Sequence, residues 1–149
     1  MKKLILISSF AFTCFANTVF GQDVPQSQVP SLVVNNFQQS FPKAFDVEWE
    51  LEGENYKVEF ETGLLRDDHE ALYDKAGKLL RHKEEISQSD LPAKVVAKIN
   101  SDFKAYSVED VKRITEGNKV SYKLEFESSN EEWKVVFDAE GNVLSKVAD

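Results

Sequence analysis

Two stretches decide the fold: "LYDKAGKLL", Leu72–Leu80, and "VFDAEGNVL", Val136–Leu144. Each sets an Asp and a Gly, three residues apart, between a segment that ends in an aromatic residue and one that begins with aliphatic residues. The Asp carboxylate accepts hydrogen bonds from nearby backbone N–H groups. The Gly takes the left-handed conformation that a type I turn with a following bulge requires. Both phrases therefore read as hairpin turns. A calcium loop would need oxygen ligands at alternating positions over about twelve residues and a closing Glu. Asp138, Glu140 and Asn142 offer a fragment of that spacing, but the first phrase has only Asp74, followed by Ala76 and Lys78.

Outward from the turns, the likeness extends through most of the chain. "VPSLVVNNFQQSF" from Val29 parallels "LPAKVVAKINSDF" from Leu91: Pro30 matches Pro92, Val33–Val34 match Val95–Val96, and Phe41 matches Phe103, all at an offset of 62. "YKVEFE" from Tyr56 matches "YKLEFE" from Tyr122 at an offset of 66, and Gly77 matches Gly141 at 64. The shifting offsets predict a longer loop after the first strand of the second copy and after the second strand of the first. The chain is read as residues 29–88, one copy, and residues 89–149, the other.

Each copy opens with a helical pattern. Val29, Val33, Phe37 and Phe41 recur every four residues, as do Leu91, Val95, Ile99 and Phe103, so each helix carries one apolar stripe. Proline near a helix start is tolerated because the first N–H groups lack partners in any case. Ser89 or Asp90 is a candidate cap for the second helix. Strands follow. In "FDVEWELE" from Phe45, apolar Phe45, Val47, Trp49 and Leu51 alternate with acids, and both "Y-K-x-E-F" segments alternate in the same way. Alternation gives each sheet one apolar and one charged face, the pattern of antiparallel sheets whose apolar face is covered by a helix. "YSVEDVKRI" from Tyr106 alternates poorly and predicts a bulge or a late start. The fold class is α+β, a tandem duplication of helix plus antiparallel-sheet units.

The N-terminus reads as a secretory signal peptide, residues 1–21: Lys2 and Lys3, an uncharged apolar stretch, then small residues. Val19-Phe20-Gly21 before Gln22 is the preferred cleavage site, with Ala16 as the alternative. Thr13 and Phe12 before Cys14 do not suit a lipid-modified cysteine. Residues 22–28 read as a short linker. Cleavage removes Lys2 and Lys3, taking the formal charge from −8 to −10. So acidic a chain suits neither nucleic acid nor a membrane surface as partner, since phosphate binding needs clustered Lys and Arg. The mature chain would hold no cysteine, hence no disulfide and no thiol nucleophile. About 128 residues suffice for one compact domain. The expected location is the periplasm or the extracellular space.

No catalytic constellation emerges: there is no Gly-x-Ser-x-Gly elbow, and the many paired acids read as the solvated face of a sheet. A non-enzymatic protein without cofactor is expected. "RDDHE", Arg66–Glu70, is the one polar cluster that raises a metal or small-ligand alternative. There Asp67 and His69 share one strand face, Asp68 and Glu70 the other, and His82 is the remaining histidine. His69 aligns with Trp133 and so is expected to pack at a sheet surface. The aromatic surplus points instead to a protein partner, with Trp49, Tyr56, Tyr122 and Trp133 as candidate contacts on a sheet face. Aromatics on the uncovered face would favour binding; a carpet of Lys and Glu would favour a solvated surface.

With a signal peptide, two helix-plus-strand copies, "YKVEFE" with "YDKAGKLL" and "YKLEFE" with "FDAEGNVL", the chain resembles the PepSY-like family of small exported bacterial proteins. The resemblance covers about Val29 to Val147. It implies a tandem fold similar to beta-lactamase inhibitor protein, with a sheet face available for binding and an inhibitor-like or peptidase-regulating role. No inhibitory loop of that family carries over to named residues here.

Overall fold

The computed structural model describes residues 21–149, so the signal-peptide reading of residues 1–21 lies, but for Gly21, outside the described residues. The first copy comprises α1 (Ser31–Ser40), β2 (Phe45–Glu52), β3 (Asn55–Thr62), β4 (Asp67–Tyr73) and β5 (Leu79–Glu85). The second comprises α2 (Ala93–Asp102), β6 (Ser107–Glu116), β7 (Lys119–Glu127), β8 (Glu132–Asp138) and β9 (Val143–Ala148). The stretch read as a linker, residues 22–28, carries secondary structure. β1 (Gln22–Asp23) pairs with Leu51 and Glu50 of β2, and a 3-10 turn over Gln26–Gln28 leads into α1. The same turn recurs at Gln88–Asp90 before α2. Ser89 and Asp90 belong to it, with the Ser87 hydroxyl accepting from the Ser89 N–H at 3.3 Å, so neither caps α2. Pro30 and Pro92 hold the two helix N-cap positions.

The nine strands of the described residues form one sheet in chain order, each antiparallel to the next. The copies therefore share a sheet rather than owning one each: β5 pairs with β6 from His82 opposite Thr115 to Glu85 opposite Lys112. The helices cover one face. Val29, Val33 and Phe37 pack on Trp49, Val58, Phe60, Ala71 and Tyr73. Leu91, Val95, Ile99 and Phe103 pack on Val111, Tyr122, Leu124, Phe126, Val135 and Phe137. These are equivalent positions in the two copies, and the predicted stripes and alternations supply them.

Two register findings refine the sequence reading. The poorly alternating stretch is bulged between Val108 and Asp110, and β2 carries a matching irregularity between Phe45 and Glu48, with Asp46 at φ 49°. The offset changes do not lengthen loops. β2–β3 and β6–β7 both turn through two residues, Gly53-Glu54 and Gly117-Asn118, and the second hairpin is longer along both strands. The β3–β4 hairpin likewise outgrows β7–β8 in its strands. Growing both strands of a hairpin equally keeps every side chain on its own face; a one-residue slip would invert them.

The two Asp–Gly phrases are the hairpin turns expected. Asp74 Oδ1 accepts from the N–H groups of Ala76 and Lys78, both at 2.9 Å; Asp138 Oδ1 accepts from Glu140 at 3.0 Å and Asn142 at 2.8 Å. Gly77 and Gly141 are left-handed, with φ 79° and 83°. They also touch the helix of their own copy. A Cβ on Gly141 would lie 2.7 Å from the Lys94 carbonyl oxygen, and one on Gly77 would lie 2.6 Å from Asn36 Nδ2, which donates to the Gly77 carbonyl at 2.8 Å.

Gly117 offers a control, being left-handed with nothing within 4 Å of a would-be Cβ. Gly117→Ala is expected to cost about 1 kcal/mol for the backbone conformation alone. Gly141→Ala should cost about 3 kcal/mol, because overpacking against helix backbone adds to it. Urea denaturation of both variants checks the difference. Trp49→Ala, which empties the centre of the first core, is expected to cost about 3–5 kcal/mol by the same measurement.

Candidate functional site

The four aromatic residues expected to meet a partner lie on the helix-covered face. Trp49 is 4% exposed and Tyr122 8%, each inside a core, so neither is a free contact residue. Their place in the alternation that faces the helices is the physical reason. Trp49 Nε1 is buried without a hydrogen-bond partner among the described residues. Tyr56 and Trp133 are half-buried at the core margins. Trp133 is covered by the Lys146 ammonium, 4.0 Å above its ring.

The uncovered face is a carpet of paired charges and holds none of the four candidate aromatics, the outcome that favours a solvated surface there. Lys57 bridges Glu50 at 2.8 Å and Glu59 at 2.9 Å. Burial works against its charge, but the two carboxylates outweigh that and hold the ammonium above its ordinary range. Glu70 accepts from Arg81 at 3.0 Å and also from Lys83. Lys112 meets Asp110 at 3.0 Å, and Lys123 meets Glu125 at 3.1 Å. At the tip of β3–β4, Leu64 and Leu65 stand almost wholly exposed. The sequence reading passed over this pair, although two leucines between Gly63 and Arg66 are a visible signal at a turn.

The polar cluster expected around "RDDHE" is rearranged by strand pairing. His69 of β4 faces the helix side, with Glu84 of β5 directly opposite it and His82 two residues before Glu84. His69 Nδ1 and His82 Nε2 are 3.1 Å apart, with ring planes within 6° and centroids 5.3 Å apart. Rings with nitrogens in contact at that centroid separation meet edge to edge, sharing an N–H···N bond, rather than face on face. On its other side His69 Nε2 lies 2.7 Å from Thr62 Oγ1. Phe60 lies parallel to His69 at 5.0 Å, and Phe41, at the end of α1, lies 5.0 Å from His82. Arg113 donates to Glu84 Oε1 through Nε at 2.8 Å.

Burial pulls both imidazoles below the ordinary value of 6.5. For His69 the attraction of Glu84, Asp67 and Asp68 does not overcome it. For His82 Glu84 pulls the other way, while His69 and Arg113 reinforce the lowering. Asp67, expected beside His69 as a metal ligand, is exposed at the start of β4 opposite Thr62; the carboxylate that joins the histidines is Glu84. His69, His82 and Glu84 place ligand atoms within 4.8 Å of one another. A sequence window centred on residues 66–70 misses Glu84 because the hairpin register, not chain proximity, brings it in.

Glu70 gives the open face a testable pH signature. Burial pushes its carboxyl up, but Lys83 and Arg81 more than offset this and hold it below its ordinary 4.5. Its contribution is therefore present above that value and is lost as pH falls through the folded-state value. Glu70→Gln is expected to cost about 1–2 kcal/mol at pH 7. The gap to wild type should close on acidification, as urea titrations at neutral and low pH would record.

Among the described residues no helix is long and apolar enough to cross a membrane. No curated protein sequence matches the chain. Solved structures share its fold at low identity. A "putative periplasmic" protein of Bacteroides eggerthii superposes with a TM-score of 0.72 at 16% identity, covering 80% of this chain and 88% of that one. A DUF2874 family protein of Bacteroides uniformis gives 0.70 at 14%, covering 80% and 88%. A BLIP-like protein of Bacteroides fragilis gives 0.66 at 18%, covering 79% and 84%. One family model, described as "Putative beta-lactamase-inhibitor-like, PepSY-like", matches twice, over residues 18–81 and again over 64–145. Two matches to one model accord with two copies of one unit, and together they span most of the chain: it belongs to the PepSY-like family.

Proposed function

We propose that the protein is an exported, non-enzymatic binding module, inhibitor-like in character, that engages a protein partner through the β3–β4 tip at the rim of the uncovered sheet face. The exposed pair Leu64 and Leu65 carries the reading. Neither side chain contributes to a core, and exposing two adjacent leucines at a hairpin tip is favourable only where something covers them. The tip extends from strands held by the sheet, so its display costs little ordering on binding. Beside it, the charged face is already organised by internal ion pairs, which suits selection among partners more than raw affinity. The family description and the BLIP-like neighbour support the inhibitor-like component, and the "putative periplasmic" neighbour supports export.

A photo-crosslinking residue at position 64 is expected to capture one defined protein from the periplasmic or secreted fraction, whereas the same residue at Leu32, exposed on α1, captures none. Leu65→Asp should abolish capture while leaving stability within about 0.5 kcal/mol. Capture that survives Leu65→Asp, or that is equal from both positions, overturns the choice of surface. Adding the purified protein to a beta-lactamase and following hydrolysis tests that target class directly, and an unchanged rate removes it.

A further inference from the structure

We propose that His69, His82 and Glu84 form a binding site for a divalent transition-metal ion, with zinc as the natural probe. Two imidazoles and one carboxylate are a ligand set suited to zinc and its neighbours, and unsuited to calcium or magnesium, which prefer oxygen alone. The residues converge from two adjacent strands in the interior of the sheet, so their backbones are fixed before any ion arrives. Two nitrogens bound to one tetrahedral zinc lie about 3.3 Å apart, given bonds of about 2.0–2.1 Å. His69 Nδ1 and His82 Nε2 are already 3.1 Å apart. An ion replaces the proton the rings share, and small ring rotations aim both lone pairs at it.

The surroundings fit as well. When His69 donates its Nε2–H to Thr62 Oγ1, 2.7 Å away, Nδ1 is left unprotonated and held in orientation. An outer hydrogen bond of this kind accompanies most histidine ligands. Glu84 directs Oε1 to Arg113, while Oε2 makes no hydrogen bond among the described residues and is free to close on the ion by side-chain rotation. Phe60 and Phe41 flank the histidines.

The second copy shows that the fold does not demand these residues. At the positions of His69, His82 and Glu84 it has Trp133, Lys146 and Ala148, which occupy the same cross-strand register. There an ammonium over an indole ring completes the packing, beside Phe103 where the first copy has Phe41. The metal-ligating set is thus particular to the first copy, beside the strand pair that joins the two.

The test is calorimetric titration of the purified protein, prepared without a polyhistidine tag, with zinc chloride, together with thermal denaturation with and without the ion. One equivalent is expected to bind and to raise Tm. His69→Gln and Glu84→Gln should each weaken binding at least tenfold. His69→Trp with His82→Lys, which installs the pair the second copy already carries, should abolish binding while the protein still melts cooperatively. Absence of both heat and thermal shift in the wild type overturns the proposal. So does stoichiometric binding that persists in His69→Trp/His82→Lys, since the ion would then be held by the surface carboxylates.

Discussion

Gly141 lies so close to α2 that a single added carbon would meet the helix backbone at Lys94, and Gly77 lies against α1 at the equivalent place, where the Asn36 side chain would be met first. This close approach of turn to helix is the constraint on which each copy depends. It fixes where the helix sits on the sheet, and so which strand residues it can cover. The Asp of each turn holds the loop in shape by accepting two backbone N–H bonds, which keeps the glycine in its left-handed conformation. The apolar stripe of the helix then needs only to match the inward alternation of the strands. Packing within that frame has been exchanged position by position. Phe37, Trp49 and Ala71 of the first core occupy the positions of Ile99, Val111 and Val135 in the second. Compensating large and small residues keep both cores filled.

The pairing of β5 with β6 turns two such units into one object. Because the sheet is continuous, the helices share one face, and no described element covers the other. Each strand satisfies its neighbour's backbone groups, and the side chains of the open face satisfy one another through ion pairs. The helix side is less uniform. Where β4, β5 and β6 meet, apolar packing gives way to His69, His82, Glu84 and Arg113, a polar strip between the two cores. Duplication supplied equivalent backbone positions, and the two copies diverge at them: an edge-to-edge imidazole pair in one, an ammonium over an indole in the other.

The repeat, the helix stripes, the alternating strands and the turns were all legible in the chain, because each is a local pattern with a period of two or four residues or a fixed turn chemistry. The equivalence of His69 with Trp133 was legible too. The partner surface was less so. Trp49 and Tyr122 were expected on an accessible face because they are large amphipathic rings, yet their register places them in the cores. Alternation says that two faces differ, and burial goes to whichever face meets a helix. The charged residues, which looked like plain solvated surface, are the ones that line the open face.

The sequence by itself determined that this is a duplicated α+β protein, with two covered hairpin units and turns built on Asp and Gly. Those features follow from hydrogen bonding and side-chain direction within a few residues. Only the tertiary structure decided that the units share one sheet, that Gln22–Asp23 add an edge strand, and that the surplus of each offset lengthens strands and not loops. It alone brought Glu84 to His69 and His82. Each of these depends on the register between neighbouring strands, which is set by burial of whole faces and leaves no mark in any short window of residues.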